Sequence, residues 1–356
     1  MIVLFVALFL LCVWGIKFSH CHKDYMSREQ TEAVKGIFAI IILFSHMRGY
    51  ITLSSSFADR SYGILLNMIG QLMVAIFFFY SGYGVIQSYK NKDKYTKTFL
   101  KNRILKTWLH FAVAVACYFI LSFIIGKTYS WQDYAFCWIG WTSVGNSNWF
   151  IFIALSLYIL TWAAFPIAEK FFKARKSIAV SFIVCGFSIV LWFVFYVFGK
   201  ETWWYDTLLC YPLGMLFSTG KEKLDFYLEK NKRSNYLIVA ASFLLFIVSY
   251  FGYHKIPFEK IAIYSICACA FCLAIVMFTT KIKIDNVVLR WLGKNSFLIY
   301  ILQRIPMIIF SEVGWNSSRY LFAGLSIIAT LLLVVVFNKI YMIIDKVFER
   351  KKGKQE

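Results

Sequence analysis

Glu32-Ala-Val-Lys-Gly-Ile-Phe-Ala-Ile-Ile-Ile-Leu-Phe-Ser-His-Met-Arg48 is an apolar run with a lysine near its start and a histidine near its end. It reads as a helix in lipid, and an ionisable residue that deep needs a reason. A charged side chain at the centre of a membrane helix costs about 2.5–3.5 kcal/mol on insertion scales, and those that occur usually face a polar cavity. A neutral imidazole costs less, so a packed histidine is the competing reading of His46. Lys35 lies eleven residues before His46, a rise of roughly 16 Å over about three turns. Both side chains therefore share one helix face, whereas Ser45 points elsewhere.

The rest of the chain sets that helix in a membrane. Of the 356 residues, 60% are apolar or aromatic and 16% are charged, too few charges to clothe a water-soluble globule of this size. Apolar runs predict membrane helices over residues 2–17, 34–52, 64–89, 107–126, 148–168, 178–198, 204–219, 235–252, 259–280, 287–310 and 320–344. The fold class expected is all-α, a polytopic transmembrane bundle of ten core helices plus one extra N-terminal helix. Residues 1–33 form the extra helix and a loop, 34–346 the membrane domain and 347–356 a basic tail. The first run lacks a cationic flank and a small-residue cleavage site, so it reads as an anchor and not as a cleaved signal. No internal repeat or linker composition divides the chain.

The formal net charge of +20 is no nucleic-acid signature, because the basic residues sit between apolar runs. They read as topology determinants and anionic-lipid contacts. Seven lie between Lys90 and Lys106 and five between Lys346 and Lys354. The positive-inside rule then places the N-terminus outside and the C-terminus in the cytosol. The opposite segments carry Asp59, Asp133, Glu201, Asp206, Glu259 and Glu312 among tryptophans such as Trp131, Trp138, Trp141, Trp203, Trp204 and Trp315. Interfacial belts explain such tryptophans, and a sugar-stacking surface is the sharper alternative. Most cysteines lie in apolar runs as small hydrophobes, and the His20-Cys21-His22 cluster lacks a second ligand pair at metal-site spacing. No metal is expected.

Lys35 at the cytosolic mouth and His46 half a bilayer deeper suit a slot for a CoA thioester: phosphates at the mouth, the pantetheine arm down the slot, and the carbonyl near an imidazole acting as general base. A glycolipid transporter or flippase is the alternative, since it too can bury a cation and a histidine on one helix face.

Further segments make the pattern specific. Phe77-Phe-Phe-Tyr-Ser-Gly-Tyr83, Phe99-Leu-Lys-Asn-Arg-Ile-Leu-Lys106, Asn148-Trp-Phe150, Tyr211-Pro-Leu-Gly214 and Leu292-Gly-Lys-Asn-Ser-Phe-Leu-Ile-Tyr-Ile-Leu-Gln303 follow in order. With Lys35, Gly36 and His46 they resemble the acyltransferase-3 family of bacterial membrane O-acyltransferases, over residues 32 to 306. The resemblance implies a multi-pass protein of the cytoplasmic (inner) membrane that acylates a cell-surface or exported glycan. His46 would be the catalytic residue, and Lys35, Arg103 and Lys106 would bind the donor. Arg48, Ser81, Gly82, Trp149, Tyr300 and Gln303 would serve the acceptor side or the packing, Gly82 by allowing close helix approach. No cofactor is bound permanently. Acetyl-CoA is the expected acyl-donor substrate, and the partners are a lipid-linked or nascent polysaccharide and membrane lipids. Two departures bear on the site. Gln303 stands where many members have a histidine and so offers no base, and Lys106 stands where arginine is commoner, which loses the bidentate fork. Arg48 could orient an acceptor or snorkel, and Arg304 needs a partner, with Glu312 or Asp206 as candidates.

Overall fold

The first apolar run makes a shorter helix than its composition suggests. In the computed structural model, which describes residues 1–255 and 260–350, α1 covers Ile2–Val13, a rise of about 18 Å against a hydrocarbon core of about 30 Å. The helix ends because Gly15, at φ +77°, turns the chain into strand β1, Ile16–Phe18. β1 pairs antiparallel with β2, Ile282–Ile284, with Ile16 opposite Ile284. The expected helix over 2–17 is thus part helix and part ribbon. Ion pairs tie down both ends of the segment: the Met1 amine lies 3.5 Å from Asp59 and Lys17 Nζ 3.2 Å from Asp285.

Ser27 starts the central helix α2, Arg28–Met47, by accepting a hydrogen bond from the Gln30 amide. The helix opens several residues before the apolar run because this cap and Glu29 satisfy its first turn. The predicted helix over 64–89 is two pieces, α3 at Phe57–Ile69 and α4 at Leu72–Asn91, broken where Gly70 takes φ +46°. Next come α5, Tyr95–Phe99, a π-helical turn over Leu100–Leu105 and α6, Lys106–Ile124. The short α7, Trp131–Phe136, precedes α8, Trp149–Phe171, and α9, Lys176–Val197. Then follow α10, Cys210–Lys230, α11, Lys232–Lys255, and α12, Lys260–Phe278. The stretch expected as one helix over 287–310 is three: α13, Val287–Lys294, α14, Ser296–Leu302, and α15, Arg304–Glu312. Its breaks fall at Asn295 and Gln303. The last helix is α16, Arg319–Arg350. Glu259 and residues 351–356 of the expected basic tail lie outside the described residues.

Among the described residues, six stretches are long and apolar enough to cross a bilayer: Phe57–Asn91, Tyr95–Ile124, Trp149–Phe171, Lys173–Val197, Arg233–Lys255 and Arg319–Lys346. The other expected crossings are shorter, interrupted or charged at one end, so length alone does not yield ten core helices. Lipid-facing character is plain in α11, where Leu237, Leu244, Val248 and Phe251 are exposed. Exposed side chains of this kind are what a helix bathed in hydrocarbon presents.

Glycines fix the two tightest helix pairs. A Cβ on Gly82 would sit 2.0 Å from the Tyr211 carbonyl oxygen, and one on Gly214 2.0 Å from that of Phe79. In the same way a Cβ on Gly36 would sit 2.1 Å from the Leu289 oxygen, and one on Gly293 1.7 Å from that of Glu32. Backbones can approach this closely only where the side chain is absent. These reciprocal contacts clamp α4 to α10 and α2 to α13, and the cavity lies between the two clamps.

Candidate active site

One face of α2, carrying Arg28, Lys35, Ala39 and Ile42, lines a cavity of about 720 Å³, within the range of small-molecule sites, about 300–1,000 Å³. Ser81, Gly84 and Ser88 of α4, Tyr158 of α8, Tyr211 of α10 and Tyr300 of α14 complete the wall. Five basic residues face the cavity, Arg28, Lys35, Lys92, Arg103 and Lys294, against the single carboxylate of Glu32. Glu32 is already bonded by Arg28 at 2.8 Å. Among the described residues neither Lys35 nor Arg103 has an ion-pair partner. Arg103 sits in the π-helical turn, a feature often found at functional sites, ringed by Tyr95, Tyr158 and Tyr211. The cavity wall therefore carries an excess of positive charge.

His46 lies one turn beyond Ile42 and is not itself part of the cavity wall. Between them stands an aromatic partition. Tyr300 is 5.9 Å from the His46 ring and 5.3 Å from Phe150, which lies 4.4 Å from Phe78. His46 is half-buried. Its Nδ1 is 2.7 Å from Gln303 Nε2 and 3.5 Å from Ser147 Oγ. Gln303 is fully buried and occupies the break between α14 and α15. An interrupted helix is tolerated at membrane depth where it lines a polar site.

The predicted residues therefore separate. Lys35, Arg103, Ser81 and Tyr300 meet on the cavity, and Ser81 Oγ bonds Tyr158 Oη at 2.7 Å. Lys106 does not join them. It pairs with Asp345 on α16, where Asp345 also lies 3.2 Å from His110 Nε2 and His110 stacks on Tyr341. The wide π-turn ahead of Lys106 rotates it away from Arg103 although only two residues intervene. Gly82 is a packing residue, as the α4–α10 clamp requires. Trp149 packs edge-on against Phe150 at 6.0 Å, one layer behind the partition. Arg48 ties α2 to α3 through Asn67 Oδ1 at 2.5 Å and the Gly63 carbonyl at 3.5 Å. Arg304 pairs with neither Glu312 nor Asp206.

Residues 29–339 match the acyltransferase domain of the acyltransferase-3 family. The chain belongs to that family. No curated protein and no solved structure matches the chain. As an acyltransferase-3 protein it is a multi-pass membrane acyltransferase, and the transporter reading is not favoured. Sequence reasoning passed over Arg28, Lys92 and Lys294, which sit in segments basic enough to pass as topology signals. Lys294 directly follows Gly293, whose close contact with Glu32 brings that lysine to the cavity.

Proposed function

We propose that this acyltransferase moves an acetyl group from cytosolic acetyl-CoA to a hydroxyl of a cell-surface or exported polysaccharide precursor. The observation that carries the reading is the five-cation cavity running along α2 from Arg28 to Ile42 and closed by Tyr300 beside His46. The basic end of the bundle then faces the cytosol of the inner membrane, where the CoA phosphates take charge-assisted bonds from Lys35, Arg103 and their neighbours. The pantetheine arm follows the tyrosine-lined wall, and the thioester passes the Tyr300 partition to reach the imidazole.

His46 takes the proton of the acceptor hydroxyl through Nε2, which requires the other nitrogen to carry hydrogen. With Gln303 Nε2 turned to His46 Nδ1, that nitrogen accepts and Nε2 of the ring holds the proton. A half-turn of the Gln303 amide brings Oε1 to Nδ1–H and frees Nε2. Gln303 is then the positioning residue that sets the tautomer, a task for which a glutamine needs no basicity.

Acetyl-CoA consumption by the purified chain with a glycan acceptor, read together with mass spectrometry of the product, tests this. His46→Ala is expected to abolish glycan acylation with membrane insertion intact, because alanine costs little in lipid. Normal O-acyl content in that variant would remove the base from the mechanism.

A further inference from the structure

Around His46 the protein leaves four buried polar side-chain atoms without a hydrogen-bond partner: Asn146 Nδ2, Tyr300 Oη, Gln303 Oε1 and Arg304 Nε. An unsatisfied buried donor or acceptor costs about 1–3 kcal/mol, and more when it is charged. Gln303 Oε1 finds its partner in Nδ1–H once the amide has made its half-turn, and the other three call for something else to complete them. Each is on, or next in sequence to, a residue that contacts the imidazole. Gln303 touches Nδ1 at 2.7 Å and Arg304 is the next residue, the first of α15. Ser147 lies 3.5 Å from the same nitrogen and Asn146 is the residue before it.

Two of these atoms are N–H donors. Asn146, 2% exposed, has its amide orientation fixed, because Oδ1 already accepts from the Val144 amide at 3.0 Å and from Ser143 Oγ at 3.3 Å. Nδ2 is therefore the free end. Arg304 has no carboxylate at ion-pair distance among the described residues. A guanidinium held in such surroundings without a counter-ion is poised for a negative charge that arrives with the ligand or develops during the reaction.

We propose that Arg304 and Asn146 donate the hydrogen bonds that stabilise the oxyanion of the acyl-transfer step, an inference that rests on the reading of His46 as the base. As His46 Nε2 removes the hydroxyl proton, the acceptor oxygen forms a bond to the thioester carbon and the C=O π pair moves onto the carbonyl oxygen. That oxyanion is the charge that Arg304 Nε–H and Asn146 Nδ2–H receive. When the C=O bond re-forms, the C–S bond breaks, and the leaving thiolate takes the proton from the imidazolium. The products are the ester and free CoA thiol, with no other reactant consumed.

The test uses the full chain in lipid nanodiscs, with steady-state acetyl-CoA turnover, donor binding and thermal unfolding measured for Arg304→Gln and Asn146→Asp. The second variant keeps the Oδ1 acceptor that holds the loop. Removal of an oxyanion donor typically lowers kcat by about 10²–10³-fold, and a loss of that size is expected for Arg304→Gln with donor affinity within threefold of wild type. Its melting temperature should be unchanged or higher, because an unpaired cation is removed. A kcat within threefold of wild type overturns the proposal. So does a raised acceptor KM at unchanged kcat, which would make Arg304 an acceptor anchor. A parallel fall in kcat, donor binding and melting temperature would show a structural role instead. If wild type and variants alike leave acetyl-CoA intact, the underlying acyl-transfer reading fails, and the oxyanion site with it.

Discussion

Gly36→Ala tests whether the α2–α13 clamp holds in place the cations proposed to bind the donor. The added methyl would meet the Leu289 carbonyl oxygen at 2.1 Å, with Leu289 C at 2.8 Å and Cα at 3.0 Å behind it. All three are backbone atoms, so no side chain can swing aside. To reach the 3.4 Å of ordinary contact the helices must separate locally by about 1.3 Å. Overpacking of this kind costs about 1–3 kcal/mol, offset by the roughly 1 kcal/mol that alanine gains over glycine within a helix. The functional loss should exceed the stability loss, because Lys35 precedes Gly36, Lys294 follows Gly293, and both lysines face the cavity. A 1 Å misplacement can cost about 10²-fold in rate; for a binding cation we expect a rise of about tenfold in acetyl-CoA KM. Gly186→Ala is the control, since its Cβ meets nothing within 4 Å; it should leave KM alone and raise the melting temperature slightly. Thermal unfolding in detergent and donor titration read both effects. A Gly36→Ala protein with wild-type melting and wild-type KM would show that the close approach of α2 and α13 does not hold the donor site.

Two further outcomes are expected. Arg103→Gln should raise acetyl-CoA KM about tenfold and be partly rescued by excess donor, while Lys106→Gln should leave KM unchanged because that lysine faces Asp345; equal effects in a donor titration would undo the separation drawn between them. In sealed cells lacking other reactive thiols, a cysteine at Lys92 should resist an impermeant maleimide and one at Asn316 should react; the reverse pattern would invert the assigned orientation.

The central helix was legible because one residue pair, Lys35 and His46, carries a face periodicity that no loop preserves, and the motif glycines proved to be contacts at 1.7–2.1 Å. The breaks at Gly70, Asn295 and Gln303 were not, because hydropathy averages over a window and cannot see a single residue leaving the helix. The same blindness hid the strand after α1, where Ile16 and Phe18 are apolar enough to extend the run. Gln303 offers no base, and its 2.7 Å contact to His46 across 257 residues of chain is one that only the fold brings together. Lys106 is the opposite case. Its spacing from Arg103 implies a shared face on an α-helix, and the π-turn cancels that implication.

The ribbon that joins β1 to β2 bears on how the protein is made. Its register sets Ile16 against Ile284 and Lys17 against Lys283, so a segment synthesised first finds its partner only after nearly the whole bundle has emerged. Closing so long a loop comes late, because its entropy is recovered only once the intervening helices are packed. Until then α1 can lean only on early helices such as α3, through Met1 and Asp59, with the polar groups of β1 unpaired. A chain arrested before β2 would leave that edge open to insertase components or to another nascent chain. Quality control in the membrane could therefore distinguish a finished copy from a truncated one by three residues near the N-terminus.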